Sequence, residues 1–470
     1  MFIQMMKRLR QIFRLGWLYA KGSTLEYYYE LKQWQKASPE SLRQDRDERL
    51  RSLLQHAYRH VPYYADVLKE SGVVTQKSVN LDRFRDLPLL DKETLQSQSE
   101  RLRPDDLDGR EWFYETSGGS TGEPVRFIQD ADTVDWGRAV KMLFNEWTGY
   151  QFGMPRVRLW GSERDILENR ESIKTTLGRW VRNETFLNAF RMSSEDMHSF
   201  VRTINEVQPA QILAYVESIY ELAHFIREED KDVYSPDAIM TSAGKLHDHM
   251  RDAIEDVFET QCFDRYGSRE VGDIACECTA HDGLHVCAPT HYVELLRPDG
   301  RPAAPGEVGE VVVTLLTNYA MPLIRYRIGD MAVRSHEGGV CSCGCAWSKL
   351  TEIKGRVSDT FTTEEGTRVH GEYFTHLFYF RDWVRKFQVI QVEPDHIRVR
   401  IVPDDSFLEY ALDEEERAPD EWQSDMADIR EDIHKVMGDR CSVGFVFEDD
   451  IPPSKSGKYR YTISKVTGSN

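Results

Sequence analysis

Strand-like and helix-like runs alternate between residues 156 and 258, and this alternation narrows the fold further than any other feature of the chain. Arg156-Val157-Arg158-Leu159-Trp160-Gly161 reads as a strand ending in a turn. Met197 to Val207 is helical, Ile212-Leu213-Ala214-Tyr215 is a short strand, and Ser218 to Arg227 is helical again. Ala238-Ile239-Met240-Thr241-Ser242 and the helical run from His249 to Phe258 continue the series. Strands joined by helical crossovers run parallel, so this region predicts an α/β domain on a mostly parallel sheet. Ligands of such sheets sit at the carboxyl ends of the strands, which puts the surroundings of Tyr215 and Gly244 in a substrate pocket. Residues 292–296 and 308–316 read instead as antiparallel strands about the turn Pro298-Asp299-Gly300.

Upstream lies Ser117-Gly118-Gly119-Ser120-Thr121-Gly122-Glu123-Pro124, entered from Trp112-Phe113-Tyr114 and left through Val125-Arg126-Phe127-Ile128. A glycine-rich run between two extended segments lets successive backbone N–H groups converge on an anion, and the hydroxyls of Ser117, Ser120 and Thr121 add donors suited to phosphate. A P-loop needs Gly-Lys-Ser/Thr at this point, and Glu123-Pro124 stands there instead, which argues against a Walker-type ATPase.

At 470 residues the chain predicts at least two domains. Beyond Lys354-Gly355-Arg356 the pattern changes. Val389 to Val402 gives extended segments about Pro394-Asp395, and a helix from Trp422 to Val436 and a strand from Val443 to Phe447 complete a small α+β unit. The expected division is a large domain over residues 1–353, with a helical entry region over 1–80, and a small one over 354–470. A net charge of −19 argues against a nucleic-acid partner. There is no run of eighteen apolar residues, so no transmembrane segment is expected. Residues 1–21 set Lys7, Arg8, Arg10 and Arg14 among apolar residues; a packed terminal helix and a membrane-surface helix are both readings of it. Its apolar stretches are too interrupted for a signal peptide.

Seven of the eight cysteines fall between Cys262 and Cys345, which points to a reducing cytoplasm and a metal rather than a disulfide framework. Thiolate and imidazole sets of four favour tetrahedral zinc, held as a structural staple. Cys276, Cys278, His281, His285, Cys287, Cys341, Cys343 and Cys345 are the candidates.

Five separated stretches, in order, resemble the motifs of the adenylate-forming superfamily of acyl-CoA synthetases, luciferases and peptide-synthetase adenylation domains. They are the glycine-rich run, Tyr266-Gly267-Ser268-Arg269-Glu270, Tyr326-Arg327-Ile328-Gly329-Asp330, Lys354-Gly355-Arg356-Val357-Ser358-Asp359 and Pro453-Ser454-Lys455-Ser456-Gly457-Lys458-Tyr459-Arg460. Phe84 to Lys92, Met321-Pro322-Leu323-Ile324-Arg325-Tyr326 and the Cys-x-Cys after it are similar to the phenylacetate-CoA ligase branch. That branch includes CapK proteins and the deazaflavin-cofactor adenylyltransferases of methanogens.

The resemblance implies a two-domain fold with a mobile lid, and attack of a small carboxylic acid on the α-phosphate of ATP to give an acyl-adenylate and pyrophosphate. Residues 117–122, from Ser117 through Gly118, Gly119, Ser120 and Thr121 to Gly122, would hold phosphate. Tyr266 and Gly267 would border adenine, Asp330 would accept the ribose hydroxyls, and Arg356 would lie near ribose and phosphate. Glu270 would ligate Mg²⁺. Lys458, with Lys455 as competitor, would swing in over the reacting groups as the small domain turns about Gly355. The zinc implied by position is Cys278, His281, Cys341 and Cys343, with Cys276, His285, Cys287 and Cys345 as substitutes.

The chain departs from the pattern at Glu123, where many relatives have lysine, at Gly118-Gly119, and at Ser358, where the hinge aspartate is usual. The acceptor that the resemblance implies is CoA or an amine. Transfer of AMP to a hydroxyl and a catalytically silent binding role are the alternatives, and a dimer is carried as the expected oligomer.

Overall fold

The computed structural model describes residues 22–75, 78–116, 126–160, 173–189, 194–336, 340–356, 360–364, 368–370, 383–404, 420–452 and 460–466, with a few single positions besides. The chain divides into two compact units, Met1–Ile353 and Lys354–Asn470. The amphipathic run over 1–21, the glycine-rich run over 117–125, residues 357–359 and Lys458 lie outside the described residues, apart from Gly16.

In the first unit the strands are β1 (Trp112–Thr116), β2 (Arg126–Asp130), β3 (Arg156–Trp160), β4 (Glu184–Asn188), β5 (Gln211–Tyr215), β6 (Ala238–Ser242) and β7 (Cys262–Ser268). They continue with β8 (Gly272–Glu277), β9 (Leu284–Val286), β10 (His291–Leu296), β11 (Val308–Leu315), β12 (Tyr326–Arg334) and β13 (Lys349–Arg356). β1 and β2 form an antiparallel ribbon; the other eleven make one sheet in the order β10-β11-β12-β13-β9-β8-β7-β6-β5-β3-β4. From β4 to β7 the neighbours run parallel, and from β7 through β8 and β9 the direction alternates.

The parallel half is buried on both faces, as strands flanked by crossover helices must be. Val157, Leu159, Ile212, Ala214 and Ile239 pack on one face against the helices Ser194–Val207, Val216–Glu228 and Asp248–Phe258. Leu213 and Met240, one residue out of phase, face the helix Ala131–Trp147 and the helix Thr24–Gln35. Asp130 starts Ala131–Trp147 by accepting the Thr133 N–H at 2.8 Å. The antiparallel half lies over a third core, into which the helices Pro39–His60 and Pro62–Glu70 send Leu50, Leu53, Leu54, Ala57, Tyr64 and Leu68.

The second unit has an antiparallel pair, β14 (Thr360–Thr362) and β15 (Arg368–His370). Its four-stranded sheet is β18-β17-β16-β19, made of β16 (Val384–Glu393), β17 (His396–Pro403), β18 (Ser442–Phe447) and β19 (Thr462–Ser464). The helix Asp420–Met437 covers this sheet with Trp422, Met426, Ile429 and Ile433.

One buried cation ties distant parts of the first unit together. Arg325 is 4 % exposed and has a left-handed backbone, φ +52°. Its Nε donates to Glu294 Oε2 at 3.0 Å, and its Nη1 donates to the carbonyls of Arg85, at 2.7 Å, and Leu87. Its own carbonyl accepts from Leu90 N at 3.0 Å, and Arg327 N donates to the Leu90 carbonyl at 2.8 Å. Replacing Arg325 with Met is expected to destabilise the first unit by about 3–5 kcal/mol, because Glu294 is left buried and unpaired. Denaturant titration of the variant checks this, and an unchanged midpoint would show the ion pair to be dispensable.

Candidate active site

Two of the five sequence motifs, and the strand that leads into a third, meet at one region of the first unit. β7 ends in the turn that carries Arg269 and Glu270, and Arg269 Nη1 donates to the carbonyl of Thr116, the last residue of β1, at 3.3 Å. The glycine-rich run starts at the next residue. The same strand sends the Tyr266 hydroxyl to Asp330 Oδ2 at 3.0 Å, so the third motif sits across from the second. Both residues are 8 % exposed.

Local backbone explains two motif glycines. A Cβ at Gly267 would stand 2.4 Å from the Gly272 carbonyl, so only glycine lets β7 and β8 close at their bulge. In β12, Glu310 pairs with Met331 and Val312 with Arg327, so Ile328, Gly329 and Asp330 stand against Val311. Gly329, at φ +82°, supplies the positive φ of that irregularity and turns Asp330 toward Tyr266.

The far side of the glycine-rich run is braced as well. Asn318 Nδ2 donates to the Ile128 carbonyl at 2.9 Å, and Thr133 Oγ1 donates to the Thr317 carbonyl at 3.2 Å. Glu270 is half-buried and has no ion pair or hydrogen bond among the described residues. The Arg356 backbone ends β13; its side chain lies outside the described residues, as does Lys458.

At the carboxyl ends of β3 and β5, the rings of Trp160 and Tyr215 lie 4.1 Å apart, with the Arg158 guanidinium 4.8 Å from the Trp160 centroid. Arg158 Nε is buried without a hydrogen-bond partner, and burial lowers the guanidinium to about 10. Gly244 follows β6, where an added Cβ would come within 2.3 Å of the Glu217 carboxylate.

Beyond β8, the structure brings Cys278, His285, Cys341 and Cys343 together, with one ligand atom of each within 4.8 Å of the others. His281, which the resemblance suggested by position, does not join them. It lies in a turn at φ +46°, packs on Phe263 at 4.6 Å, and has Nδ1 3.4 Å from Glu277 Oε2. It lines a polar cavity of about 390 Å³ with Lys245, Arg251, Asp264 and Glu277. His285 reaches the thiols because β9 carries it inward beside Leu284 and Val286; it is fully buried. Cys278 Sγ and Cys341 Sγ are 3.8 Å apart, and Cys343 Sγ is 3.5 Å from His285 Nε2. Tetrahedral zinc, with bonds of about 2.3 Å to sulfur and about 2.0–2.1 Å to nitrogen, sets edges of roughly 3.8 Å and 3.5 Å. His285 Nδ1 lies 3.3 Å from the Trp347 carbonyl; donating there leaves Nε2 as the ligand atom.

The CapK C-terminal domain family matches residues 361–465. Over 447 residues the chain is 22% identical to Protein CapK of Staphylococcus aureus, covering 94% of this chain and 93% of that protein. It is 26% identical to phenylacetate-coenzyme A ligase of Pseudomonas putida, covering 63% and 67%. Among solved structures it is similar to 2-hydroxyisobutyryl-CoA ligase in the postadenylation state in complex with R3-HIB-AMP, with TM-score 0.69, 18% identity, and 89% and 88% coverage. These likenesses support the CapK and phenylacetate-CoA ligase branch of the adenylate-forming superfamily.

The fold of that superfamily is present here, with a large mixed α/β unit and a smaller α+β unit. Against the superfamily motifs, sequence reasoning missed Arg158 and Glu184. Arg158 sits among apolar strand residues, and the signal that could have found it is a charge inside that strand. Glu184 has a side chain 1 % exposed and accepts from Arg156 Nε at 3.1 Å. Replacing Tyr266 with Phe removes the hydroxyl from Asp330 and is expected to cost about 1.5 kcal/mol of stability, as for a hydrogen bond to a charged group. Thermal denaturation beside wild type measures it.

Proposed function

We propose that the chain activates a carboxylic acid with ATP, forming an acyl-adenylate and pyrophosphate, and passes the acyl group to CoA or an amine. What supports the reading best is the contact between Arg269 and Thr116, which joins the Tyr-Gly-x-x-Glu turn to the entry of the glycine-rich run. The likeness to the phenylacetate-coenzyme A ligase of Pseudomonas putida supports it as well.

In this reading the phosphates lie against the backbone amides and hydroxyls of residues 117–122. Asp330, oriented by Tyr266, accepts the ribose hydroxyls, and Tyr266 and Gly267 border the base. The acid enters near Tyr215 and Gly244, where Arg158 offers a buried guanidinium toward an anion. The half-buried carboxylate of Glu270, unpaired among the described residues, fits a hard cation. It would hold Mg²⁺, which when bound offsets phosphate charge.

Displacement at the α-phosphate between two anions calls for positive charge and alignment more than for a base. Lys458 supplies that charge in this reading, delivered by the second unit as it turns about Gly355. Lys458→Ala is expected to slow adenylation by about 10²–10³ while ATP still binds, the scale seen when one transition-state donor is removed. Pyrophosphate release across a panel of acids, with and without CoA, measures it; adenylation at the wild-type rate would remove Lys458 from the chemistry. Pyrophosphate release that needs no acid but needs a hydroxyl-bearing acceptor would favour AMP transfer instead.

Zinc belongs to the same proposal as a structural ion on Cys278, His285, Cys341 and Cys343, a closed set with no position for substrate. About one zinc per chain is expected in protein purified without chelator. His285→Ala should lose it, while His281→Ala and Cys441→Ser should keep it. Elemental analysis of the three variants decides the ligand set, and a stable, metal-free wild type would rule the ion out.

A further inference from the structure

A second cluster of ligating side chains shares no residue with the motifs or the thiols. His56 and His60 are four residues apart at the end of the helix Pro39–His60, so their rings share a face; the centroids are 4.9 Å apart. The segment preceding β1 crosses that face and brings Asp106 beside them. One ring nitrogen of each histidine and one carboxylate oxygen of Asp106 lie within 4.8 Å of one another. We infer that His56, His60 and Asp106 bind a divalent first-row metal ion of the zinc class.

Each of the three is already held by a partner of the kind that orients metal ligands. His56 Nε2 is 3.0 Å from the Tyr319 carbonyl; donating a proton there leaves Nδ1, 3.8 Å from Asp106 Oδ2, with its lone pair free. His60 Nδ1 is 2.8 Å from Asp105 Oδ1, a carboxylate–imidazole pairing. Arg110 Nη2 donates to Asp106 Oδ2 at 3.0 Å. The other oxygen, Asp106 Oδ1, is buried with no hydrogen-bond partner. An orphaned buried acceptor is costly, and a cation at Oδ1 satisfies it while Arg110 keeps Oδ2.

The donor chemistry selects the ion. Two imidazoles and one carboxylate suit zinc, cobalt or nickel, whereas magnesium and calcium take oxygen sets. The histidines also close a helix at its carboxyl end, where the helix dipole favours positive charge. With three protein ligands the remaining positions are left to water, so the ion exchanges with solvent more readily than one enclosed by three thiolates. Once bound, it fastens the end of Pro39–His60 to the segment that leads into β1.

The test uses the full chain with its thiol cluster intact. Wild type, His60→Ala and Asp106→Asn, each verified as folded by circular dichroism, are dialysed against micromolar Zn²⁺ and their metal is counted. His60 has a side chain 37 % exposed, so its loss leaves the core in place. Wild type is expected to hold one equivalent more than either variant. With Co²⁺ in place of Zn²⁺, the difference spectrum between wild type and His60→Ala should show metal absorption without a thiolate charge-transfer band. Equal uptake by all three proteins overturns the site, and so does a thiolate band in that difference spectrum. The result is independent of the proposed ligase activity, because neither variant touches the residues assigned to nucleotide or acid.

Discussion

The arrangement of the first unit depends on one buried charge. Arg325 stands where the chain leaves Met321-Pro322-Leu323-Ile324 and enters β12, and its guanidinium binds Glu294 in β10 and the carbonyls of Arg85 and Leu87. Burial holds the Glu294 carboxyl above its ordinary range even with Arg325 beside it, so the pair is a register device more than a source of net stability. Its value is positional. Leu90 is hydrogen-bonded between Arg325 and Arg327, so a segment more than two hundred residues upstream fixes where β12 begins. Five residues after Arg325, the same strand presents Asp330 to Tyr266.

Charges at the strand ends follow a second logic. Glu184 takes Arg156 and lies 3.5 Å from Arg182, and that concentration of cation holds its carboxyl below the usual range although burial alone would raise it. Arg158 adds its charge to that group, while its own Nε is buried without a hydrogen bond and its guanidinium lies over the Trp160 ring. The Trp160 ring under that guanidinium packs in turn on Tyr215.

How far the sequence could be read follows from the range of the interactions involved. The strands β5 and β6 were legible because their signals are local, apolar runs bounded by polar turns. β4 was not, because Glu184-Thr185-Phe186-Leu187-Asn188 looks polar until Arg156 neutralises its glutamate across the sheet. Tyr-Arg-Ile-Gly-Asp was legible as a motif, but its place in a strand, with three residues set against Val311, depends on pairing with β11. The choice between His281 and His285 lay wholly beyond the sequence. Both follow Cys278 closely, and only the reversal of the chain through β8 and β9 turns one imidazole toward the Cys341–Cys343 hairpin and the other toward Phe263 and Glu277.

The bracing around residues 117–125 shows why rigidity is concentrated where it is. A run rich in glycine has more backbone freedom to lose on ordering than any other of its length. Here its two ends are already neighbours, since Thr116 pairs with Arg126 across the β1–β2 ribbon, so the closure entropy is met by the fold before any ligand arrives. Arg269 secures the entry side, and Asn318, with Met321 Sδ accepting the Ile128 N–H at 3.3 Å, secures the exit. Asn318 is fully buried and also accepts the N–H groups of Ala320 and Met321, at 3.1 and 3.2 Å, so the brace is itself saturated with hydrogen bonds. A phosphate bound by such a run would have only the run itself to order, and binding energy otherwise consumed in assembling the walls remains for the ligand.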